Sequence, residues 1–140
     1  MSFDVLIRGA LVVGGDSPNR LDVGVADGVI ASVGPELAGP ATEEIDAVGL
    51  YLLPGVIDGH VHMNEPGRAD WEDFETGTRA LAAGGATAAI DMPLNSHPPT
   101  VTGAAIDEKR RCLERAALVD IALWGGLVPG GVARSARRRA

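Results

Sequence analysis

Two histidines that lie two residues apart are the part of this sequence best suited to chemistry. His60 and His62 end the apolar run VIDGHVH, which follows Pro54-Gly55 and has the pattern of a buried strand. Residues i and i+2 of a strand point to the same face, about 6.5 Å apart along the backbone. Two imidazoles so placed can bind one metal ion, each at about 2.0–2.1 Å. We predict that both are metal ligands; one packed ring and one solvated ring is the alternative.

The other candidate ligands are less well placed. A catalytic zinc ion needs at least three protein ligands and an open position. In barrels of βα units, chemistry takes place at the carboxyl ends of the strands. Asp91 ends the second predicted strand, but Asp120 begins the third and is therefore at the wrong end. His97 follows the second strand and is expected to be a loop residue rather than a ligand.

Asp58 shares a strand face with the two histidines but lies further from the strand end. It can orient a histidine ring through a hydrogen bond, as carboxylates behind metal-bound imidazoles do. It can equally be a buried carboxylate that accepts hydrogen bonds from backbone amides, and the sequence leaves both possibilities open. Cys112 lies beside Leu113 in a predicted helix and is expected to serve packing.

Three polar residues in the loops after the first two strands are candidates for substrate binding. Asn64 and Asn95 carry amides, which both donate and accept hydrogen bonds and suit a cyclic amide or urea. Each alone is more often a turn residue. Arg68 can bind a carboxylate or carbonyl, although an ion pair with Glu65 or Asp70 is the commoner outcome.

Two different patterns organise the chain. Residues 1–53 contain short β-branched runs separated by turns, and Asp27-Gly28 between two apolar runs predicts a hairpin. This pattern favours a small antiparallel sheet, the N-terminal β-sandwich part of an α/β protein. From residue 54 the order is strand, helix, strand, helix, strand, which predicts parallel strands with helical crossovers. The first helix is expected to have Asp70 as its N-cap, and the second to run from about 104 to 117.

Composition narrows the class of protein. The net charge is −7 and 46% of the residues are apolar, as in ordinary globular proteins. The single cysteine excludes an internal disulfide, which fits a cytoplasmic location. No apolar stretch approaches the roughly 20 residues that span a membrane. Residues 129–140 form a basic tail that we expect to be a solvated end rather than a nucleic-acid contact.

The stretches PGVIDGHVH, EPGR, ETGTRA and MPLN resemble the cyclic amidohydrolases, the group of allantoinases, dihydroorotases and hydantoinases. The similarity extends over about residues 3–128. It implies that residues 54–128 are the first three strands and two helices of a TIM-like (β/α)8 barrel that is truncated here. A barrel of that kind needs about 200–250 residues, so we expect the chain to be an N-terminal part and inactive alone.

The resemblance also implies a mechanism. Two divalent metals, usually zinc, would activate water to open a cyclic amide, and His60 and His62 would hold the first metal. A bridging lysine carbamate, two further histidines and an aspartate would come from later strands, because the only lysine, Lys109, does not match the carbamate position. The partner would be a small cyclic ureide, without nucleic acid or membrane. The resemblance also implies that the complete protein is a homo-oligomer, a tetramer.

Details within the motifs distinguish the members of the group. Dihydroorotases are expected to carry arginine where this chain has Asn64, and MPNT where it has MPLN with Asn95. Both differences favour a neutral ureide ring, so the resemblance implies conversion of allantoin to allantoate. A hydantoinase, dihydropyrimidinase or dihydroorotase-type enzyme is the alternative, and a non-catalytic fragment or assembly module is the alternative from another class.

Overall fold

The computed structural model describes residues 2–129, which divide into two compact units. The first unit ends at Pro54 and the second begins at Gly55. Neither helix in the described part of the chain is long and apolar enough to cross a membrane.

The first unit is one five-stranded mixed sheet. Its central strand β1 pairs antiparallel with β2, and β2 pairs antiparallel with β3. The Asp27-Gly28 hairpin joins β2 to β3, with positive φ at both residues (52° and 74°), as the sequence predicted. The strands are β1 (Phe3–Val12), β2 (Asn19–Ala26), β3 (Val29–Gly34), β4 (Ala41–Asp46) and β5 (Tyr51–Leu52).

The pairing of the last two strands corrects the expectation of a purely antiparallel sheet. Both β4 and β5 pair with β1 in the parallel direction. The hairpin signal concerns only neighbouring strands, whereas β4 returns to β1 after a connection that also includes β2 and β3. The assignment of residues 1–53 to part of a β-sandwich stays a prediction.

A carboxylate ties the first unit together across its sheet. Asp22 Oδ1 accepts the backbone N–H of Gly9 at 2.8 Å, and Oδ2 accepts the N–H of Leu37 at 3.0 Å and Arg8 Nη1 at 3.1 Å. These contacts, first the Gly9 hydrogen bond, hold the pKa of Asp22 below its ordinary value. Gly9 lies where the β1–β2 register shifts, and its φ of +66° is one that glycine tolerates best.

The second unit is a three-stranded parallel sheet with two helices, in the order β6-β7-β8. The predicted alternation of parallel strands and helical crossovers is therefore confirmed. Parallel strands place all their carboxyl ends at one edge of the sheet. The elements are β6 (Val56–Val61), α1 (Phe74–Ala83), β7 (Ala86–Asp91), α2 (Gly103–Ala116) and β8 (Asp120–Leu123).

The first helix starts later than the sequence suggested. Asp73, not Asp70, is the N-cap of α1, and its side chain accepts the N–H of Thr76 at 2.7 Å. The residues before it belong to a closed loop, in which Trp71 N–H binds the Arg68 carbonyl at 3.1 Å. Trp71 accordingly precedes the helix and is exposed. The second helix, capped by Thr102, agrees with the prediction within one residue.

The core of the second unit lies between its sheet and helices. Met63, Phe74 and Cys112 are buried at its centre, so the packing role predicted for Cys112 is confirmed. The half-buried apolar residues around them are Val61, Leu81, Leu113, Ala116, Ile121 and Leu123. The core therefore reaches the residue that directly follows the histidine pair.

Candidate metal centre

The two histidines meet at the carboxyl end of β6. His60 lies within the strand and His62 directly follows it. Their Nε2 atoms are 3.2 Å apart, their ring centroids 5.0 Å apart, and both residues are exposed. Two nitrogens at about 2.0–2.1 Å from one tetrahedral ion would be about 3.3 Å apart. The pair therefore fits two coordination positions of one ion, and its separation also suits an N–H···N hydrogen bond.

The remainder of a metal centre is not formed by the part of the chain that the structure describes. Within residues 2–129, no group of three or more histidine, cysteine, aspartate or glutamate side chains could hold an ion. His97 is exposed in the loop after β7, and Asp120 is at the opening of β8. The described residues thus provide two metal ligands, and the remaining coordination positions of the ion would need ligands from elsewhere.

Asp58 contacts the backbone of the pair. Its Oδ1 accepts the N–H of His60 at 3.0 Å. This hydrogen bond matches the backbone alternative that the sequence left open, although Asp58 is half-buried. A role in orienting an imidazole ring stays a prediction.

A buried ion pair binds the backbone of Met63, the residue that follows His62. Lys109 Nζ is 2.5 Å from Asp91 Oδ2, and the two side chains are 0% and 1% exposed. Asp91 Oδ1 accepts the N–H of Met63 at 2.6 Å, and Lys109 donates to the Met63 carbonyl at 2.9 Å. Burial raises the pKa of Asp91, while Lys109, the Met63 N–H and His62 act in the opposite direction.

Sequence reasoning missed this pair. It treated Lys109 only as a helix lysine unsuited to a carbamate. A signal was nevertheless present, because Ala105, Lys109 and Cys112 follow one another at intervals of four and three residues. That spacing places them on one helix face, and all three are buried. A lone lysine in an apolar stripe of this kind requires a buried partner.

Asn64 is buried at the base of the loop after β6. Its N–H donates to the Glu72 carbonyl at 3.0 Å, and its own carbonyl accepts the N–H of Arg68 at 3.2 Å. These bonds close the loop. The side-chain oxygen Oδ1 is buried and has no hydrogen-bond partner among the described residues. Such an acceptor is costly unless a partner reaches it.

Arg68 is held by an aromatic ring rather than by a carboxylate. Its guanidinium lies 5.7 Å from the centroid of the Trp71 ring, a cation–π distance. Within residues 2–129 it forms no salt bridge, so the expected ion pair with Glu65 or Asp70 is absent there. Glu65 instead lies 3.8 Å from Arg115. Both Arg68 and Trp71 are exposed.

The loops after β6 and β7 are joined to each other. His97 N–H donates to the Pro66 carbonyl at 2.8 Å. A Cβ on Gly67 would come within 2.2 Å of the His97 carbonyl oxygen, and Gly67 has a φ of +87°. Only glycine fits this contact without displacement. Asn95 is half-buried in the second of these loops, so the three predicted substrate residues belong to one joined pair of loops.

The sequence profile of the amidohydrolase family matches residues 51–137, and the chain belongs to that family. Its members typically depend on two metal ions. The match extends into the basic segment 129–140, which beyond Pro129 lies outside the described residues.

Among individual proteins, the chain is similar to the allantoinases of Rubrobacter xylanophilus (59% identical over 95% of this chain) and Deinococcus radiodurans (53% over 92%). It spans about 29% of the length of these relatives. The solved L-hydantoinase (dihydropyrimidinase) from Arthrobacter aurescens superposes with a TM-score of 0.87 at 34% identity. That superposition covers 96% of this chain and 30% of the other. The resemblance to cyclic amidohydrolases is thus confirmed, and so is the expectation of a partial barrel.

Proposed function

We propose that this chain supplies the first metal ligands and part of the substrate-binding rim of a hydrolase that opens the cyclic amide of allantoin to give allantoate. The observation that carries the proposal is the 3.2 Å approach of the His60 and His62 Nε2 atoms at the carboxyl end of β6. Its support is the 59% identity to an allantoinase. The predicted tetramer and cytoplasmic location stay predictions.

His60 and His62 would hold a divalent ion through their Nε2 atoms. Imidazole nitrogens suit zinc among the available divalent metals. A divalent ion in this place supplies Lewis acidity, which polarises a carbonyl and makes water more acidic. Asp58 would support the pair by holding the His60 N–H, so that the strand end keeps its extended form.

The loop residues would recognise a neutral ring. A cyclic ureide presents N–H donors and carbonyl acceptors. The side-chain oxygen Oδ1 of Asn64, which has no hydrogen-bond partner within residues 2–129, can accept a hydrogen bond from a ring N–H. Arg68, held on Trp71 and without a carboxylate partner in residues 2–129, can donate to a carbonyl. Asn95, on the adjoining loop, can do either.

A chimera tests the proposal. Residues 1–128 would replace the matching segment of the Rubrobacter xylanophilus allantoinase, with which this chain is 59% identical. We expect the chimera to hydrolyse allantoin, and both His60→Ala and His62→Ala to lower kcat/KM by at least about a hundredfold, since each removes a ligand. His97→Ala is the matched control and should retain activity. Activity that survives both ligand substitutions would contradict the proposal.

Hydantoin hydrolysis is the second candidate, favoured by the TM-score of 0.87 with an L-hydantoinase. Because the loops after β6 and β7 come from this chain, the same chimera distinguishes the two. Its kcat/KM for allantoin should exceed those for hydantoin and dihydrouracil. Faster turnover of either of the latter would favour the second candidate.

A further inference from the structure

The buried pair of Asp91 and Lys109 converges on one backbone residue. Asp91 accepts the N–H of Met63, and Lys109 donates to the carbonyl of the same residue. Both polar groups of Met63 are therefore held by side chains from other elements, β7 and α2. Its own side chain packs against α1, where a Cβ on Gly77 would come within 2.3 Å of the Met63 sulfur.

This arrangement is poorly explained by stability alone. Removing two charges from water is expensive, and replacing a buried ion pair by apolar residues of similar volume is often neutral or stabilising. Lys109 is completely buried, and its Nζ also lies 5.6 Å from the centroid of the Phe74 ring. What the charges provide, and apolar residues would not, is a fixed direction for the backbone at Met63.

Met63 directly follows His62, so fixing its N–H also fixes the peptide group that joins the two residues. The residue before His62 is also bound, because Met92 N–H donates to the Val61 carbonyl at 2.8 Å. The backbone is therefore hydrogen-bonded on both sides of His62. Side chains that orient metal ligands from behind typically change metal affinity by about 10–100-fold when they are replaced. Asp91 and Lys109 contact the backbone of Met63, next to His62, and do not contact the imidazole ring of His62.

We propose that Asp91 is a positioning residue, which holds the Met63 N–H so that the His62 ring meets the His60 ring at coordination distance, and that Lys109 neutralises the buried Asp91 carboxylate. This inference rests on the proposed metal site. Neither side chain would contact the metal, because both Asp91 oxygens are engaged, one by Met63 and one by Lys109.

Two double variants of the full 140-residue chain separate positioning from charge. Asp91→Leu/Lys109→Met and Asp91→Asn/Lys109→Met both lack the buried charges. They differ in whether position 91 can still accept the Met63 N–H. We expect the leucine variant to bind Zn²⁺ about 10–100-fold more weakly by calorimetry, and the asparagine variant to remain within about threefold of the unmodified chain.

A metal-free measurement accompanies the zinc titration. The nuclear Overhauser effect between the ring protons of His60 and His62 should persist in the asparagine variant and be lost in the leucine variant. Thr78→Val is the control for stability, because it removes a buried hydroxyl that binds the Phe74 carbonyl and the Leu118 N–H. It should lower the melting temperature without changing zinc affinity or the ring contact.

The outcomes are distinct. Equal zinc affinities, or equal ring contacts, in the two double variants would overturn the positioning role. His60→Ala and His62→Ala test the metal site itself, since each should abolish the zinc binding that calorimetry detects in the unmodified chain. If the unmodified chain bound zinc independently of both histidines, the metal proposal would fail. The ring contact in the metal-free variants would still decide the positioning role.

Discussion

Asp22 in the first unit and Asp91 in the second unit are each held by a basic side chain and by backbone N–H donation, but the two carboxylates differ in burial. Asp22 pairs with Arg8, whose side chain is 33% exposed, whereas Asp91 pairs with the fully buried Lys109. Backbone hydrogen bonding lowers the pKa of Asp22, and burial raises that of Asp91. The contacts lower the pKa of both carboxylates, but at Asp91 the effect of burial outweighs them.

The difference in burial between the Asp22–Arg8 and Asp91–Lys109 ion pairs suggests different roles for them. Asp22 joins β1, β2 and the Leu37 segment within a sheet, and water can reach its partner. Such a contact gains modest stability at low cost. Asp91 and Lys109 are fully desolvated and bind Met63, the residue after a proposed ligand, whose position we propose that Asp91 fixes. The two pairs should therefore respond differently to loss of the basic partner.

The largest effect is expected from Lys109→Met. It leaves the Asp91 carboxylate buried without its cation, so the free energy of unfolding of the second unit should fall by about 3–5 kcal/mol. Arg8→Met in the first unit should cost much less, because water reaches the guanidinium and Asp22 keeps two backbone N–H donors. Urea titrations followed by circular dichroism measure both. Equal losses would contradict the contrast in burial.

A second contrast concerns two glycines with positive φ, one in each unit. Gly67→Ala should destabilise its unit by about 2–4 kcal/mol, because backbone strain is added to a collision with the His97 carbonyl. Gly28 also has a positive φ, but nothing lies within 4 Å of its added Cβ. Gly28→Ala should therefore cost only about 1 kcal/mol. Thermal melts of the two variants would show whether the loop contact is as tight as described.

A third carboxylate, Asp73, is not buried with a cation, and it provides a smaller test. Asp73→Ala removes the N-cap of α1 and should lower stability by about 1 kcal/mol. Asp70→Ala is the matched control and should have almost no effect. The reverse result, measured by urea titration, would restore the helix start that the sequence suggested.

The smallest effect concerns pH. Because the pKa of Asp22 is lower in the folded chain than its ordinary value of 3.8, its contribution to stability is fully present above that value. It is lost as the pH falls below 3.8 through the folded-state pKa. The difference in unfolding free energy between the unmodified chain and Asp22→Asn should shrink across that window. A difference that grew on acidification would show that the sign is wrong.

Local signals predicted much of this molecule. The Asp27-Gly28 turn, the alternation of strands and helices, and the same-face placement of His60 and His62 follow from backbone geometry over a few residues. The helix start was wrong because Asp70 and Asp73 are equally good N-caps, and the loop closed by the Asn64–Glu72 hydrogen bond decides between them.

Contacts between distant residues escaped prediction. The parallel pairing of β4 with β1 depends on where the chain returns after two other strands. The buried pair joins Asp91 to Lys109 across a strand end and a helix, and its third partner is Met63, 46 residues before the lysine. The spacing of Ala105, Lys109 and Cys112 indicates that Lys109 lies on the buried face of its helix. Nothing in the local sequence identifies Asp91 as its partner.

The joined loops after β6 and β7 also matter to protein engineers. Since Gly67 and His97 fit closely and Pro66 accepts the His97 N–H, the segments between β6 and α1 and between β7 and α2 form one interlocked module. If recombination with a homologue exchanged one segment and kept the other, the contacts of Pro66 and Gly67 with His97 would no longer fit. Variant libraries designed to change which cyclic substrate is bound should therefore exchange both segments together.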